Sequence, residues 1–259
     1  MTKFETSLLA ICQQKGFYPK TIGSVPGAFT YNYPLWLIQT MEESLPTIPK
    51  ALIVSGFHGE EQAGPWGILK WLRDCTPESF KGVNVSFLPV VNLYGFITEK
   101  RYGPSNMPTN TGFYRPGEKA SPEAEILKKN INILRPLADN GYISLHEDIT
   151  SSQYYIYTFE PTEQPGEFSK QMKDELAKHF PNPFNGIAYV DTTSPGQGPP
   201  CEDGLIWKFY DGSFDDWMFQ MGVPRVAVTE TPGKYPFLDR VDATVDLINR
   251  FIDLVSKGV

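Results

Sequence analysis

The chain has 259 residues, of which 41% are hydrophobic and 20% are charged, and its formal net charge is −7. This composition is typical of a globular protein and the length suits one large domain, so we expect residues 1–259 to form a single domain. The chain is acidic and has no run of lysine and arginine residues, which argues against nucleic acid as a partner.

Membrane and secretion signals are also missing from the sequence. No segment approaches the roughly 20 apolar residues that span a bilayer, and the apolar stretch over residues 8–12 is too short for a secretory signal. Cys12, Cys75 and Cys201 are odd in number and widely spaced, which indicates reduced thiols. We therefore expect a cytoplasmic protein with no membrane partner, and the sequence leaves its oligomeric state open.

The first half of the chain alternates strands and helices. The pattern predicts a short helix and its exit over residues 1–20, one or two edge strands over 27–41, a buried strand over 49–57, a helix over 64–75 and a second buried strand over 83–91. Residues 93–119 are rich in Gly, Pro, Asn and Thr and are predicted to form a long loop.

The second half continues the alternation. Ser121-Pro122-Glu123 joins a capping serine, a proline at the first helical position and an acid in the first turn, which predicts a helix to about Leu134. The pattern also predicts strands over residues 142–145, 154–159 and 225–229, helices over 167–180, 213–221 and 238–255, and a Pro/Gly-rich surface loop over 181–204. This order predicts an α/β fold with a central mixed, mostly parallel β-sheet flanked by helices on both faces.

Three side chains that could bind metal or move protons each lie at or just past the end of a predicted core strand. They are His58, His146 and Glu230. Ligands bind outside the carboxyl ends of strands in open α/β sheets, so the fold can bring these distant residues together. The structural alternatives are a histidine satisfied in the core and a salt-bridged carboxylate at a strand end.

The motif His58-x-x-Glu61 places an imidazole and a carboxylate in the turn after a strand, where both can reach one ion. Zinc accepts nitrogen and carboxylate-oxygen ligands, and a catalytic zinc site joins three protein ligands to an open position for water. Two histidines and one glutamate form such a set. The bare motif is short and also suits a solvated turn, so its context decides.

Several short motifs occur in an order that resembles the metallocarboxypeptidase superfamily, which includes the murein tripeptide amidases and the succinylglutamate desuccinylase/aspartoacylase group. In chain order they are residues 55–61 (SGFHGEE), 92–96 (NLYGF), 144–146 (SLH), Gly212-Ser213 with Asp216-Trp217, and residues 228–232 (VTETP). The resemblance spans about residues 50–235. It implies the fold of the zinc carboxypeptidases.

The resemblance implies a role for each residue of the site. His58, Glu61 and His146 would hold one Zn²⁺ per chain, and zinc lowers the pKa of a water toward neutrality. Glu230 would act as the general base and return the proton to the leaving amine. Arg101, which occupies the position of the carbonyl-polarising arginine of the bacterial amidases, would stabilise the oxyanion; an exposed loop arginine is otherwise only a solvated charge.

The sequence departs from the family where a substrate carboxylate would bind. The family carries Asn-Arg at this position, whereas this chain has Asn110 followed by Thr111. A threonine hydroxyl cannot replace a bidentate arginine. Arg115 or Arg225 could supply the cation from another direction, or the substrate presents no carboxylate at that point.

An aromatic residue is expected on the loop before Gly212-Ser213, where the family's carboxypeptidases use a tyrosine. Trp207 falls at the matching spacing and Tyr210 lies nearby, and either could instead belong to a packed aromatic wall. With Asn110 and Arg115, these two complete the predicted substrate-binding set.

The sequence supports three functional hypotheses. The first is a zinc-dependent hydrolase that cleaves an amide bond of a small peptide, as a carboxypeptidase or an amidase, with a cell-wall peptide as one candidate. The second is an N-acyl amino acid deacylase of the succinylglutamate desuccinylase/aspartoacylase type. The third is a non-catalytic module that binds metal or peptide, which would have no need of a general base at Glu230.

Overall fold

The structure is a computed structural model that describes residues 1–27, 31–42, 47–188 and 198–259. Its helices are α1 (Lys3–Lys15), α2 (Ala63–Asp74), α3 (Leu93–Thr98), α4 (Pro122–Lys129), α5 (Ile131–Leu137), α6 (Glu167–His179), α7 (Phe214–Gln220) and α8 (Phe237–Lys257), with a short 3₁₀ helix at Pro77–Phe80. Its strands are β1 (Tyr18–Pro26), β2 (Asn32–Gln39), β3 (Lys50–Ser55), β4 (Asn84–Leu88), β5 (Gly141–Asp148), β6 (Tyr155–Phe159), β7 (Gly186–Ile187), β8 (Pro200–Cys201), β9 (Leu205–Trp207) and β10 (Val226–Pro232).

One mixed sheet organises the molecule. Eight strands follow the order β1-β2-β4-β3-β5-β10-β6-β9, and β7 pairs with β8 apart from them. The four central strands β4, β3, β5 and β10 are parallel, while β1–β2, β2–β4 and β6–β10 are antiparallel pairs. The predicted mixed, mostly parallel sheet is confirmed.

The central strands read as continuous apolar runs because helices cover both faces of the sheet. Along β3, Ala51 and Ile53 join one hydrophobic core and Leu52 and Val54 join the other. Helices α1, α2, α6 and α8 pack on the first face, and α4, α5 and α7 pack on the second. Because β4, β3, β5 and β10 run in the same direction, their carboxyl ends lie together along one end of the sheet.

Two predicted boundaries shift because side chains cap or interrupt the backbone. The predicted loop over residues 93–119 begins with α3, since the Asn92 side chain accepts a hydrogen bond from Gly95 N at 2.8 Å. The helix predicted to run from Ser121 to about Leu134 starts as expected but divides between α4 and α5 at Asn130. The amide of Asn130 donates to the carbonyl of Ile22 on β1 at 2.9 Å.

The outermost strands of the sheet and the loop over residues 181–204 differ most from the sequence-based expectation. Strand β1 occupies residues predicted as the exit from the first helix, because its largely exposed side chains carry no apolar alternation. The predicted edge strands over residues 27–41 include β2, and residues 28–30 lie outside the described residues. The predicted surface loop over residues 181–204 contains the short β7–β8 pair, and residues 189–197 also lie outside the described part.

Strands β5 and β10 are longer than predicted, so His146 and Glu230 lie within strands near their carboxyl ends. The cysteines Cys12, Cys75 and Cys201 are buried and unpaired. Among the described helices, none combines the length and the apolar composition that a membrane span requires.

Candidate metal centre and active site

The turn after β3 carries two of the predicted metal ligands. Gly56 leaves the strand with a φ of 66°, a left-handed conformation that favours glycine. His58 and Glu61 follow, and the turn packs against α3 so closely that a Cβ on Gly59 would lie 2.0 Å from the carbonyl carbon of Gly95. This tight packing determines where the two ligand side chains point.

Strands β5 and β10 supply the third ligand and the candidate base. The two strands are parallel neighbours, and Glu230 pairs in register with His146. Residues paired in this way project from the same face of the sheet, so the two side chains lie beside each other. The ring of Phe57 stacks on the imidazole of His146 with centroids 5.7 Å apart, which orients a ring that is only 4% exposed.

The side chains of His58, Glu61 and His146 form one cluster. Nδ1 of His58 lies 2.6 Å from Oε1 of Glu61, and Nδ1 of His146 lies 2.8 Å from Oε2 of the same carboxylate. One ligand atom from each residue lies within 4.8 Å of the other two. Zinc bonds of about 2.0–2.2 Å in a tetrahedral arrangement would separate such atoms by about 3.3–3.6 Å, so small side-chain movements would fit the ion.

The charges of the cluster support one another. Burial alone would raise the pKa of Glu61, but the positive charges of His58 and His146 outweigh it and hold that pKa below its usual range. Burial alone would lower the pKa of His146, yet the Glu61 carboxylate raises it to about 9. An ionised carboxylate between two ring nitrogens is a donor set suited to a divalent cation.

Glu230 has a different environment although it lines the same cavity. Burial, followed by the nearby carboxylate of Glu61, raises its pKa well above the usual value against the opposing charge of His146. A carboxyl group with increased proton affinity is suited to accept a proton.

Arg101 reaches the cluster from the segment that follows α3. The amide of Asn92 donates to the Arg101 carbonyl at 3.0 Å, which ties this backbone to the helix cap. Nη1 of Arg101 lies 2.8 Å from Oε1 of Glu60 and 3.4 Å from Oε1 of Glu61. Its guanidinium is therefore held at the edge of the cluster and lines the cavity.

A cavity of about 480 Å³ opens over the cluster. Its wall includes four of the predicted site residues from distant parts of the chain, His58, His146, Arg101 and Glu230. Asn110, predicted as a substrate-binding residue, also lines it. The carboxyl edge of the sheet thus brings together residues that the sequence separates widely.

The other three predicted substrate-binding residues are not brought to the cavity wall. Nη2 of Arg115 donates to the carbonyl of Tyr210 at 2.6 Å. The Tyr210 ring is 41% exposed and packs on Phe159 with centroids 5.6 Å apart. Trp207 lies under the ammonium group of Lys208, which is 4.9 Å from the ring centroid. Arg225, the other cation considered for a substrate carboxylate, bonds to the carbonyls of Asn140 and Gly258.

The sequence did not single out several residues that line the cavity. Strand β6 contributes Tyr155, Tyr157 and Phe159, which alternate along the strand and so face the same side. Asp215 and Asp211 lie at the start of α7 and before it. The alternation in β6 was a usable signal, whereas Asp215 had none, since an acid in the first turn of a helix is common.

Asp148 and a second group of possible ligands lie outside the cluster of His58, Glu61 and His146. Asp148 does not orient a ligand histidine, because its carboxylate accepts hydrogen bonds from Thr150 and Tyr155. A second group of possible ligands, Glu175, His179 and Asp246, lies on α6 and α8. Nζ of Lys178 lies 2.6 Å from Oε2 of Glu175, so we interpret this group as an ion-pair network.

Comparisons with known proteins identify chains that are similar to this one. The model of the succinylglutamate desuccinylase/aspartoacylase catalytic domain matches residues 47–164. The structure of a candidate metallopeptidase from Shewanella amazonensis is 33% identical and has a TM-score of 0.86, and the match covers 97% of this chain and 92% of that one. A second candidate metallopeptidase, from Shewanella denitrificans, is also 33% identical, with a TM-score of 0.85 and coverage of 98% and 89%.

A more distant match concerns the fold alone. A metallo-carboxypeptidase from Burkholderia cenocepacia is 14% identical with a TM-score of 0.69, over 98% of this chain and 68% of that one. A search of curated proteins with the sequence found no match.

Proposed function

Because this chain belongs to the zinc metallocarboxypeptidase superfamily, we propose that it is a zinc-dependent hydrolase that cleaves an amide bond of a small substrate. The observation that carries the proposal is the convergence of His58, Glu61 and His146 beside Glu230 in one cavity. A cluster with only a structural role would have no need of a proton-accepting carboxylate such as Glu230, which pairs in register with His146.

The proposed metal site consists of Nδ1 of His58, the Glu61 carboxylate and Nδ1 of His146. A zinc ion bound there supplies a water with a pKa lowered toward neutrality. Imidazole and carboxylate are ligands that zinc accepts, and zinc is therefore the ion of the proposal.

The protein's own groups would move the proton and stabilise charge. The Glu230 carboxylate takes the proton from the attacking water and delivers it to the leaving nitrogen. Arg101, held at the cluster by Glu60, donates to the carbonyl oxygen as it gains negative charge. Asn110 lines the wall next to the substrate.

A hydrolysis panel tests the proposal. Zinc-loaded protein is incubated with ordinary peptides, with cell-wall tripeptides containing a γ-D-glutamyl bond, and with N-acyl amino acids, each with and without a chelator. We expect chelator-sensitive release of an amine from one class. No cleavage of any class, with zinc still bound, would contradict the proposal and favour the non-catalytic binding module.

A second candidate is the N-acyl amino acid deacylase, which uses the same metal and base. The match of residues 47–164 to the succinylglutamate desuccinylase/aspartoacylase catalytic domain favours it. The panel separates the two: preferential cleavage of N-acyl amino acids supports the deacylase, and preferential cleavage of peptides supports the peptidase.

A further inference from the structure

The cavity wall has an unbalanced charge. Seven of the described residues that line it are acidic, whereas one is an arginine and none is a lysine; the Glu147 side chain itself turns toward α2 and α8. Three of the acids have positive or metal-site partners: Glu60 pairs with Arg101, Glu147 pairs with Arg240, and Glu61 lies between the two histidines. Asp148, Asp211, Asp215 and Glu230 remain.

Asp215 and Asp148 are held as hydrogen-bond acceptors by neutral donors. The two Asp215 oxygens accept from the hydroxyl of Tyr142 and the amide of Asn110, both at 2.7 Å. The Asp148 oxygens accept from Thr150 at 2.8 Å and from the hydroxyl of Tyr155 at 3.2 Å. Within the described chain, no lysine or arginine forms an ion pair with either one.

An aromatic wall independently favours a positive ligand. Tyr155, Tyr157 and Phe159 project from one face of β6 into the cavity, where Phe209 also contributes. The faces of aromatic rings attract ammonium and guanidinium groups, most strongly where water is excluded. Aromatic faces combined with carboxylates are a recognition surface for organic cations.

The same wall offers little to a substrate carboxylate. Thr111 lines it without a charge, while Arg115 and Arg225 are not among the lining residues and each donates to a backbone carbonyl. Arg101 is the arginine of the wall, and its Nη1 already lies against Glu60 and Glu61. A carboxylate near Asp215 or Asp211 would meet repulsion without a compensating pair.

Resting on the proposed function, we propose that the cavity takes amides whose amine portion carries a second, cationic amino group and no carboxylate, that is, N-acylated diamines or polyamines. The carbon–nitrogen bond breaks, the carbonyl carbon gains the hydroxyl of water, and the nitrogen gains the proton. The products are a carboxylate and a diamine, and no further reactant is needed. Asp215, Asp148 and the aromatic wall bind the distal ammonium group.

Three substrates that share a chain of five methylene groups test the inference on zinc-loaded protein: N-acetylcadaverine, N-acetylhexylamine and N-acetyl-6-aminocaproate. They end in an ammonium, a methyl and a carboxylate group. We expect kcat/KM for the ammonium substrate to exceed that for the neutral one by at least about tenfold, the value of a charge-assisted hydrogen bond. The carboxylate substrate should be the slowest. Equal rates, or a preference for the carboxylate, would overturn the inference.

Two variants locate the effect. D215N should reduce the ratio of kcat/KM for the ammonium substrate to kcat/KM for the neutral substrate. T111R should raise kcat/KM for the carboxylate substrate relative to that for the ammonium substrate. D174N, which removes one charge on the exposed side of α6, is the matched control and should leave both ratios unchanged. Unchanged ratios in both D215N and T111R would contradict the assignment.

A binding measurement separates this inference from the proposed function. Cadaverine should raise the unfolding temperature of metal-free protein more than hexylamine, which has the same number of heavy atoms, because the recognising carboxylates need no metal. If peptides are cleaved in a chelator-sensitive manner but cadaverine neither binds nor its amide reacts, the inference is wrong and the proposed function stands. If cadaverine binds but no amide is cleaved, the proposed function fails and the cationic subsite stands.

Discussion

At the residue scale, one carboxylate organises the centre. Glu61 is 3% exposed and its two oxygens face Nδ1 of His58 and Nδ1 of His146. A backbone N–H from Glu147 adds a third contact at 3.3 Å. Because Glu61 contacts both histidines, it aligns a turn residue with a strand residue before any ligand arrives. Glu230 stands beside this group with no role in holding it.

The assignment of Glu230 predicts the result of one substitution. E230Q keeps the size of the side chain but cannot accept a proton, so kcat should fall by about 10²–10⁴-fold. Zinc content, measured by elemental analysis, should stay at the wild-type level. E163Q, on the exposed surface, is the matched control and should behave as wild type. Wild-type kcat in E230Q would show that another group takes the proton.

At the element scale, Glu147 joins three parts of the fold. It follows His146 in β5, so its side chain points to the opposite face of the sheet. Oε1 accepts a hydrogen bond from the backbone N–H of Ala63 at 2.6 Å, at the start of α2, and Oε2 bonds to Arg240 on α8. This link sets the distance between His146 and Glu61, the ligand just before α2.

Removing that link should weaken the metal site without touching a ligand. E147A is expected to lower zinc affinity by about 10–100-fold, the usual effect of losing an outer hydrogen-bond partner. E147Q, whose amide oxygen can still accept from Ala63, should lie between E147A and wild type. Affinity is measured by competition with a chelating dye. Equal affinity in E147A and wild type would mean that packing alone holds the two ligands together.

The end of α8 contains a separate ion-pair network. Hydrogen bonds from Lys257 and Lys81 lower the pKa of Asp253 to about 2, and Arg250 adds a third cation at 3.3 Å. The group is close to the surface, so we expect D253N to cost about 1 kcal/mol of unfolding free energy at neutral pH. Urea unfolding measures this cost.

The sign of the pH dependence follows from the lowered pKa. The stabilisation is present above the unfolded-state value of about 4 and is lost as the pH falls through the folded-state value. The difference between wild type and D253N should therefore narrow between about pH 4 and pH 2. A difference that stays constant over this range would assign the effect to packing and not to charge.

At the scale of the whole molecule, the proposed metal site joins the turn between β3 and α2 to strand β5. A ligand that binds only the folded state stabilises it by mass action, by about 2.7 kcal/mol at a concentration 100 times its Kd. Zinc should therefore raise the unfolding temperature of chelator-treated protein. H146N should lose most of this increase, whereas H179N, outside the cavity, should keep it. Identical shifts in both variants would place the stabilising ion elsewhere.

Much of the site could be predicted from short-range pattern. Three features of the sequence pointed to the site: the apolar run before His58, the three-residue spacing to Glu61 and the order of the later motifs. In the structure, His58, Glu61 and His146 form one cluster. The mixed, mostly parallel sheet also followed from the alternation of strands and helices. Local residue order carries this information because strand burial and turn chemistry depend on near neighbours.

The rest was decided by tertiary structure. The substrate-binding roles of Arg115, Trp207 and Tyr210 stay predictions. Their side chains contact a backbone carbonyl, the Lys208 ammonium group and the Phe159 ring, respectively, because the direction of a side chain depends on what packs beside it. The exposed strand β1 left no apolar pattern to detect. The acidic residues of the cavity could not be predicted from the sequence either, because Asp148 and Asp215 come to line one cavity only when β5 and α7 pack together. The sequence by itself determined which reactive side chains the chain contains and that several of them lie close to the ends of core strands. Only the packing of the strands and helices decided which of these side chains face the same cavity.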